Sequence, residues 1–158
     1  MITQKLLAHI DTLKPKIDEW AVEAVLENRG VIVNLVKFGQ LAKGLNSFGN
    51  PLAWNKGTGF YAKSTQSFAN RDNIGVPKTK GAPYNFQWSG EFFDNMKLED
   101  VNKSENTYEI TTIQGKQKLL ESVYGDIIDL TPENNDFVNK TIIEPYLAQK
   151  IEENILLF

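Results

Sequence analysis

Glu91 and Asp94 stand three residues apart in a fourteen-residue stretch, Pro83 to Met96, that also carries three Phe, one Tyr and one Trp. On a helix that spacing puts both carboxylates on one face. Paired carboxylates perform general acid and base work in glycoside hydrolysis, and flanking aromatic rings can stack on sugar. Such a hydrolase needs one of the two acids held protonated by burial. Acid pairs at this spacing are also common on solvated helix faces, so the stretch has two readings, chemistry or contact.

Other chemistries are narrowed by composition. The chain has no cysteine, which excludes disulfides, thiolate nucleophiles, iron–sulfur clusters and thiolate zinc sites. His9 is the one histidine. A zinc site built mainly from imidazoles is therefore excluded within one chain, and a Ser-His-Asp arrangement would have to use His9, in a helical stretch. Gly57-Thr58-Gly59 lacks the Lys-Ser/Thr ending of a phosphate-binding loop. The spacing of Asp126, Asp129 and Glu133 fits no calcium loop. Both read as turns, and neither a metal nor a cofactor is expected.

The charge is unevenly placed. Net charge is −3 over 158 residues, which is no overall nucleic-acid signature. Between positions 56 and 80, Lys56, Lys63, Arg71, Lys78 and Lys80 face Asp72 alone. Between 121 and 136, Glu121, Asp126, Asp129, Glu133 and Asp136 occur without a base. Such polarity can orient copies of one protein head to tail. The basic segment also interleaves with Phe60, Tyr61 and Phe68, a combination that can hold single-stranded nucleic acid. These five bases, with Tyr84 and Trp88, form the candidate contact surface for another subunit or for DNA.

The elements that must position these residues fit one domain of the α+β class: a long N-terminal helix and a C-terminal helix on a small antiparallel sheet, with a long central loop. Leu6, Ile10, Leu13, Ile17, Trp20 and Ala24 recur at helical spacing. Pro15 predicts a kink near 12–14 or a break into two helices. Gly30 suits the left-handed position that ends this element. Val31 to Val36 reads as a short β-branched strand, with a buried helical continuation as the alternative. Asn46 to Gly81 is loop-like, with a brief helix over Tyr61 to Ala69, and is expected to be a mobile interface loop. Phe86 to Leu98 begins extended and turns helical after Ser89, with Phe92, Phe93 and Met96 facing inward. Asn106 to Ile113 alternates as a half-exposed strand. Thr131-Pro132-Glu133 is a helix start, Thr as cap and Pro in the first turn. That helix runs to about Asn154, with a kink expected at Pro145. No apolar run reaches a membrane span and no secretory leader is visible, so synthesis in a cytoplasm and no membrane partner are expected.

The order of these signals resembles a known family. Gln40 to Leu52 comes first, with spaced glycines, then Phe60-Tyr61-Ala62-Lys63-Ser64-Thr65 and a lysine-bearing loop through Lys78 and Lys80. Trp88-Ser89-Gly90-Glu91-Phe92 follows, then the strand at Tyr108 to Ile113 and Tyr124 to Asn134. Over roughly residues 35 to 150 this is similar to the small neck and tail-completion proteins of tailed bacteriophages. Ser89-Gly90-Glu91-Phe92 stands where that group has Thr-Gly-x-Leu/Phe, and Ser64-Thr65 where it has Ser-Thr. The resemblance implies a non-enzymatic virion component of the neck or tail that assembles as a homo-oligomeric ring around the DNA channel. It also implies neighbouring neck, portal or tail proteins as partners, and no small-molecule substrate.

Overall fold

In the computed structural model the chain is described at residues 2–52, 59–102, 105 and 107–156. Helix α1 spans Ile2–Glu27 without a break. The expected division at Pro15 does not occur. Pro15 and Asp11 both lie exposed, so the carbonyl that loses its helical partner faces water and the helix carries through. Leu13, Trp20, Ala24 and Val25 form its buried face.

Of the two readings of Val31 to Val36, the buried helical continuation is the one found, and the strand is not. Helix α2 covers Arg29–Asn34, followed by a π-helical turn at Leu35–Gln40 and a 3-10 turn at Leu41–Lys43. Ile32, Val33 and Val36 are all buried, and burying one helical face outweighs the β preference of the branched side chains. Gly30 accordingly lies inside α2, and the left-handed position belongs to Gly44, at φ +78°. A Cβ on Gly44 would lie 2.6 Å from Pro83 Cβ and 2.8 Å from the Tyr84 carbonyl. Only glycine lets these two segments touch.

The central segment contains α3, Lys63–Arg71, close to the predicted brief helix. Phe60 pairs with Pro83, and Tyr61 N–H donates to the Ala82 carbonyl at 2.9 Å. The two ends of the segment are therefore tied together. One-turn helix α4, Glu91–Asp94, buries Phe92 and Phe93, and Met96 is buried beside them as expected. Ser89 Oγ accepts from Glu91 N–H at 3.4 Å.

Helix does not reach Leu98. Lys97–Asn102 forms strand β1, antiparallel to β2, Thr107–Thr111. Leu98 and Ile110 sit opposite each other and are both buried. Helix α5 covers Gln114–Tyr124 and α6 covers Pro132–Val138. Thr131 Oγ1 accepts the Asn134 N–H at 3.2 Å, the cap read from the sequence. A π-helical turn, Asn139–Ile143, leads into α7, Glu144–Leu156. This turn ends two residues before Pro145, and it holds Thr141, whose carbonyl the proline ring would meet in a regular helix.

The chain is thus α+β, with the sheet against α2 and one core shared by α1, α2, α4, both strands and α6. Helices α1 and α7 pack as an antiparallel pair. His9 Nε2 lies 3.0 Å from the Asn154 carbonyl at one end. At the other, the Tyr146 hydroxyl bonds Glu23 and Glu27.

Candidate functional site

The Phe60–Pro83 pairing turns the segment after Pro83 across the surface beside α5. The result is a cleft of about 540 Å³, within the usual size of ligand sites. Tyr61, Tyr84, Phe86 and Trp88 form one wall, and Leu119, Leu120 and Tyr124 of α5 form the other. The rings make a connected series. Tyr61 meets Tyr84 at 5.0 Å, Tyr84 meets Tyr124 at 6.1 Å, and Tyr124 meets Phe86 at 5.0 Å between centroids. Phe86 continues through Phe92 and Phe93 to Phe38, so the cleft wall is joined to the core by ring contacts, edge-to-face except for the tilted Phe92–Phe93 pair.

Lys78 also lines the cleft and is 2% exposed. Its amine donates to Asn85 Oδ1 and lies 5.2 Å from the centre of the Tyr61 ring. The amide oxygen of Asn85 gathers three donors, since it also accepts from the Tyr61 hydroxyl at 2.9 Å and from Gln87 N–H at 3.2 Å. The last bond is an Asx-turn, and Phe86 inside it takes φ +52°. That conformation is unfavourable for a bulky residue and persists where surrounding contacts impose it. No carboxylate pairs with the Lys78 amine among the described residues. Burial alone pulls its pKa down to about 8. Burial likewise raises that of Tyr61, against the opposing bond from the Asn85 backbone.

The structure sorts the candidate contact residues. Lys78, Tyr84 and Trp88 come together in the cleft. Lys63, Arg71 and Lys80 are exposed outside it, and Arg71 is held by Asp72 while stacking on Phe68. Lys56 lies outside the described residues. Read from the sequence as one of a run of surface bases, Lys78 is instead enclosed. Lys116 and the cleft-lining residues of α5 were not singled out, and Asn85 and Phe86 stood in the aromatic stretch without a role of their own. Only the aromatic density of 83–96 pointed toward this place.

The acid pair lies beside the cleft. Glu91 and Asp94 are exposed and neither lines it. The Glu91 carboxylate is tied to Lys116 of α5.

A second cleft, of about 500 Å³, uses the adjacent face of α5. Glu109, Glu121, Asp126 and Asp129 line it. Burial, and then the neighbouring Asp126, Glu121 and Glu109, raise the pKa of Asp129. The acidic residues 121, 126 and 129 thus converge in space, while Asp136 of α6 pairs with Lys140 in the π-helical turn that follows. No group of three or more possible ligands among the described residues is arranged to hold a metal. No helix among them is long and apolar enough to cross a membrane.

Compared with known proteins, the chain matches no family model, no curated protein and no solved structure.

Proposed function

We propose that this chain is a non-enzymatic virion protein of a tailed bacteriophage, a homo-oligomeric ring subunit acting in head–tail joining or tail completion. The order of motifs from Gln40 to Asn134 supports the kind of protein. One observation of the fold carries the assembly role: large apolar side chains stand exposed at several separate places. Among them are Leu7 and Leu156 on the α1–α7 pair, Trp88 and Leu119 on the aromatic cleft, and Phe38, Phe48, Phe68 and Phe137 elsewhere. Exposed apolar surface of this kind marks contact sites, and a ring subunit meets a different neighbour on each side. Its partners are other copies and adjoining neck, portal or tail proteins. Lys63, Arg71 and Lys80 supply sequence-independent attraction for channel DNA.

Size-exclusion with light scattering is expected to give a multi-subunit species, and negative-stain microscopy to show annular particles. A monomer that persists at all concentrations would sink this reading. Genes for portal, capsid and tail proteins are expected beside its own.

A further inference from the structure

Two of the exposed apolar places, the end of the α1–α7 pair and the aromatic cleft, differ in shape. The antiparallel α1–α7 pair ends in a knob where Leu7 is 57% exposed and Leu156 77% exposed, with Ile10 and Ile155 also open to solvent. Glu152 shares a helix face with Ile155 and Leu156, at spacings of three and four residues. Glu152 is exposed and has no ion pair among the described residues. The knob is therefore a carboxylate beside a group of exposed aliphatic side chains.

The cleft is the complement of that surface. Its walls are largely apolar and aromatic, and among the described residues its lining cations are Lys116, exposed and already tied to Glu91, and Lys78, which is enclosed and without a carboxylate. An amine so placed gains from an incoming carboxylate, because the desolvation cost of its own charge is already met in the folded chain. The knob does not fill the cleft of its own chain. Leu156 remains 77% exposed, and the rim residues Leu119 and Trp88 remain 65% and 44% exposed.

We propose that the knob of one copy, Leu7, Ile155 and Leu156 with Glu152, seats in the aromatic cleft of the next copy and brings the Glu152 carboxylate to Lys78. The two surfaces are different parts of one chain, so the contact is heterologous and repeats head to tail until it closes. The inference rests on the ring reading above and names the contact that builds the ring.

Leu156→Glu disables the knob and Leu119→Glu the cleft. Both positions are exposed, so each variant is expected to keep the wild-type circular dichroism spectrum. Each is expected to be monomeric, with association weakened about a hundredfold or more. An equimolar mixture is expected to form a one-to-one dimer and nothing larger, since it contains one intact knob and one intact cleft per pair. Glu152→Gln and Lys78→Met should each weaken assembly about tenfold, and the double variant should be no weaker than either alone. If the wild-type chain forms a ring and both Glu variants keep it, the knob-in-cleft contact is wrong while the ring reading stands. Monomeric variants that fail to dimerise when mixed would also overturn the contact. A monomeric wild-type chain overturns the ring reading and the contact with it.

Discussion

The side-chain oxygen of Gln40 accepts the backbone N–H of Thr131 at 2.9 Å inside the core. The same oxygen accepts from Asn134 Nδ2 at 2.9 Å, and Gln40 Nε2 donates to the Asp129 carbonyl at 2.7 Å. Gln40 is 0% exposed, so no water replaces these bonds if the side chain is lost. It joins the π-helical turn to the cap of α6 across ninety-one positions of sequence. Gln40→Leu is expected to cost about 2–4 kcal/mol, because it strands polar groups that cannot reach solvent. Urea unfolding measures the loss. A variant within about 0.5 kcal/mol of wild type would show that the three bonds contribute little.

The Lys78 amine gives a signature in pH. Its folded pKa of about 8 lies below the ordinary 10.5. Between those values the unfolded chain holds the proton that the folded chain has released, so stability rises with pH across that window. The rise is at most about 3 kcal/mol at 1.36 kcal/mol per pKa unit. Lys78→Met should abolish that rise and be at least as stable as wild type at neutral pH. NMR titration of the Lys78 side chain reads the pKa directly, and an ordinary value would contradict its enclosure.

Gly44 positions the cleft from beneath. With φ +78° and Pro83 and Tyr84 against its α-carbon, any side chain there is strained and displaces the aromatic wall. Gly44→Ala is expected to cost about 3 kcal/mol or more. It should also change the near-ultraviolet dichroism of the tyrosines around Tyr84. Gly49→Ala is the control: φ is +76° there, but nothing lies within 4 Å, so only the backbone penalty remains.

Asp129 carries the opposite sign of pH dependence. Its pKa is raised in the folded chain, so the folded state binds the proton more tightly and stability falls as pH rises from the ordinary carboxylate value through the raised one. Asp129→Asn is expected to raise Tm at pH 7, with the gain shrinking to nothing in acid. The residue is exposed, so the gain is small. A lower Tm for the Asn variant at pH 7 would contradict the crowding of Glu109, Glu121 and Asp126 around it.

Features set by local chemistry were legible in the sequence. The apolar stripe of α1, the Thr131 cap and the inward Phe92, Phe93 and Met96 depend on neighbours within one or two helical turns. Features set by distant partners were not. Ile32, Val33 and Val36 favour a strand by themselves and become helical because that face is buried. Strand β1 carries no strand signal, since the charged Lys97, Glu99 and Asp100 flank the buried Leu98, which reads as the end of the preceding helical stretch. The cleft was half visible. Its rings crowd one stretch of sequence, but Lys78 enters only because the Phe60–Pro83 pairing brings Tyr61 and Asn85 together.

Helix α5 contributes Leu119, Leu120 and Tyr124 to one cleft and Gln117 and Glu121 to the other, yet none of its residues is fully buried. Eleven residues held by so little enclosed surface open at low free energy. The wall common to both clefts is therefore among the more yielding pieces of the molecule, and occupancy of either cleft will register as slowed amide exchange along Gln114–Tyr124.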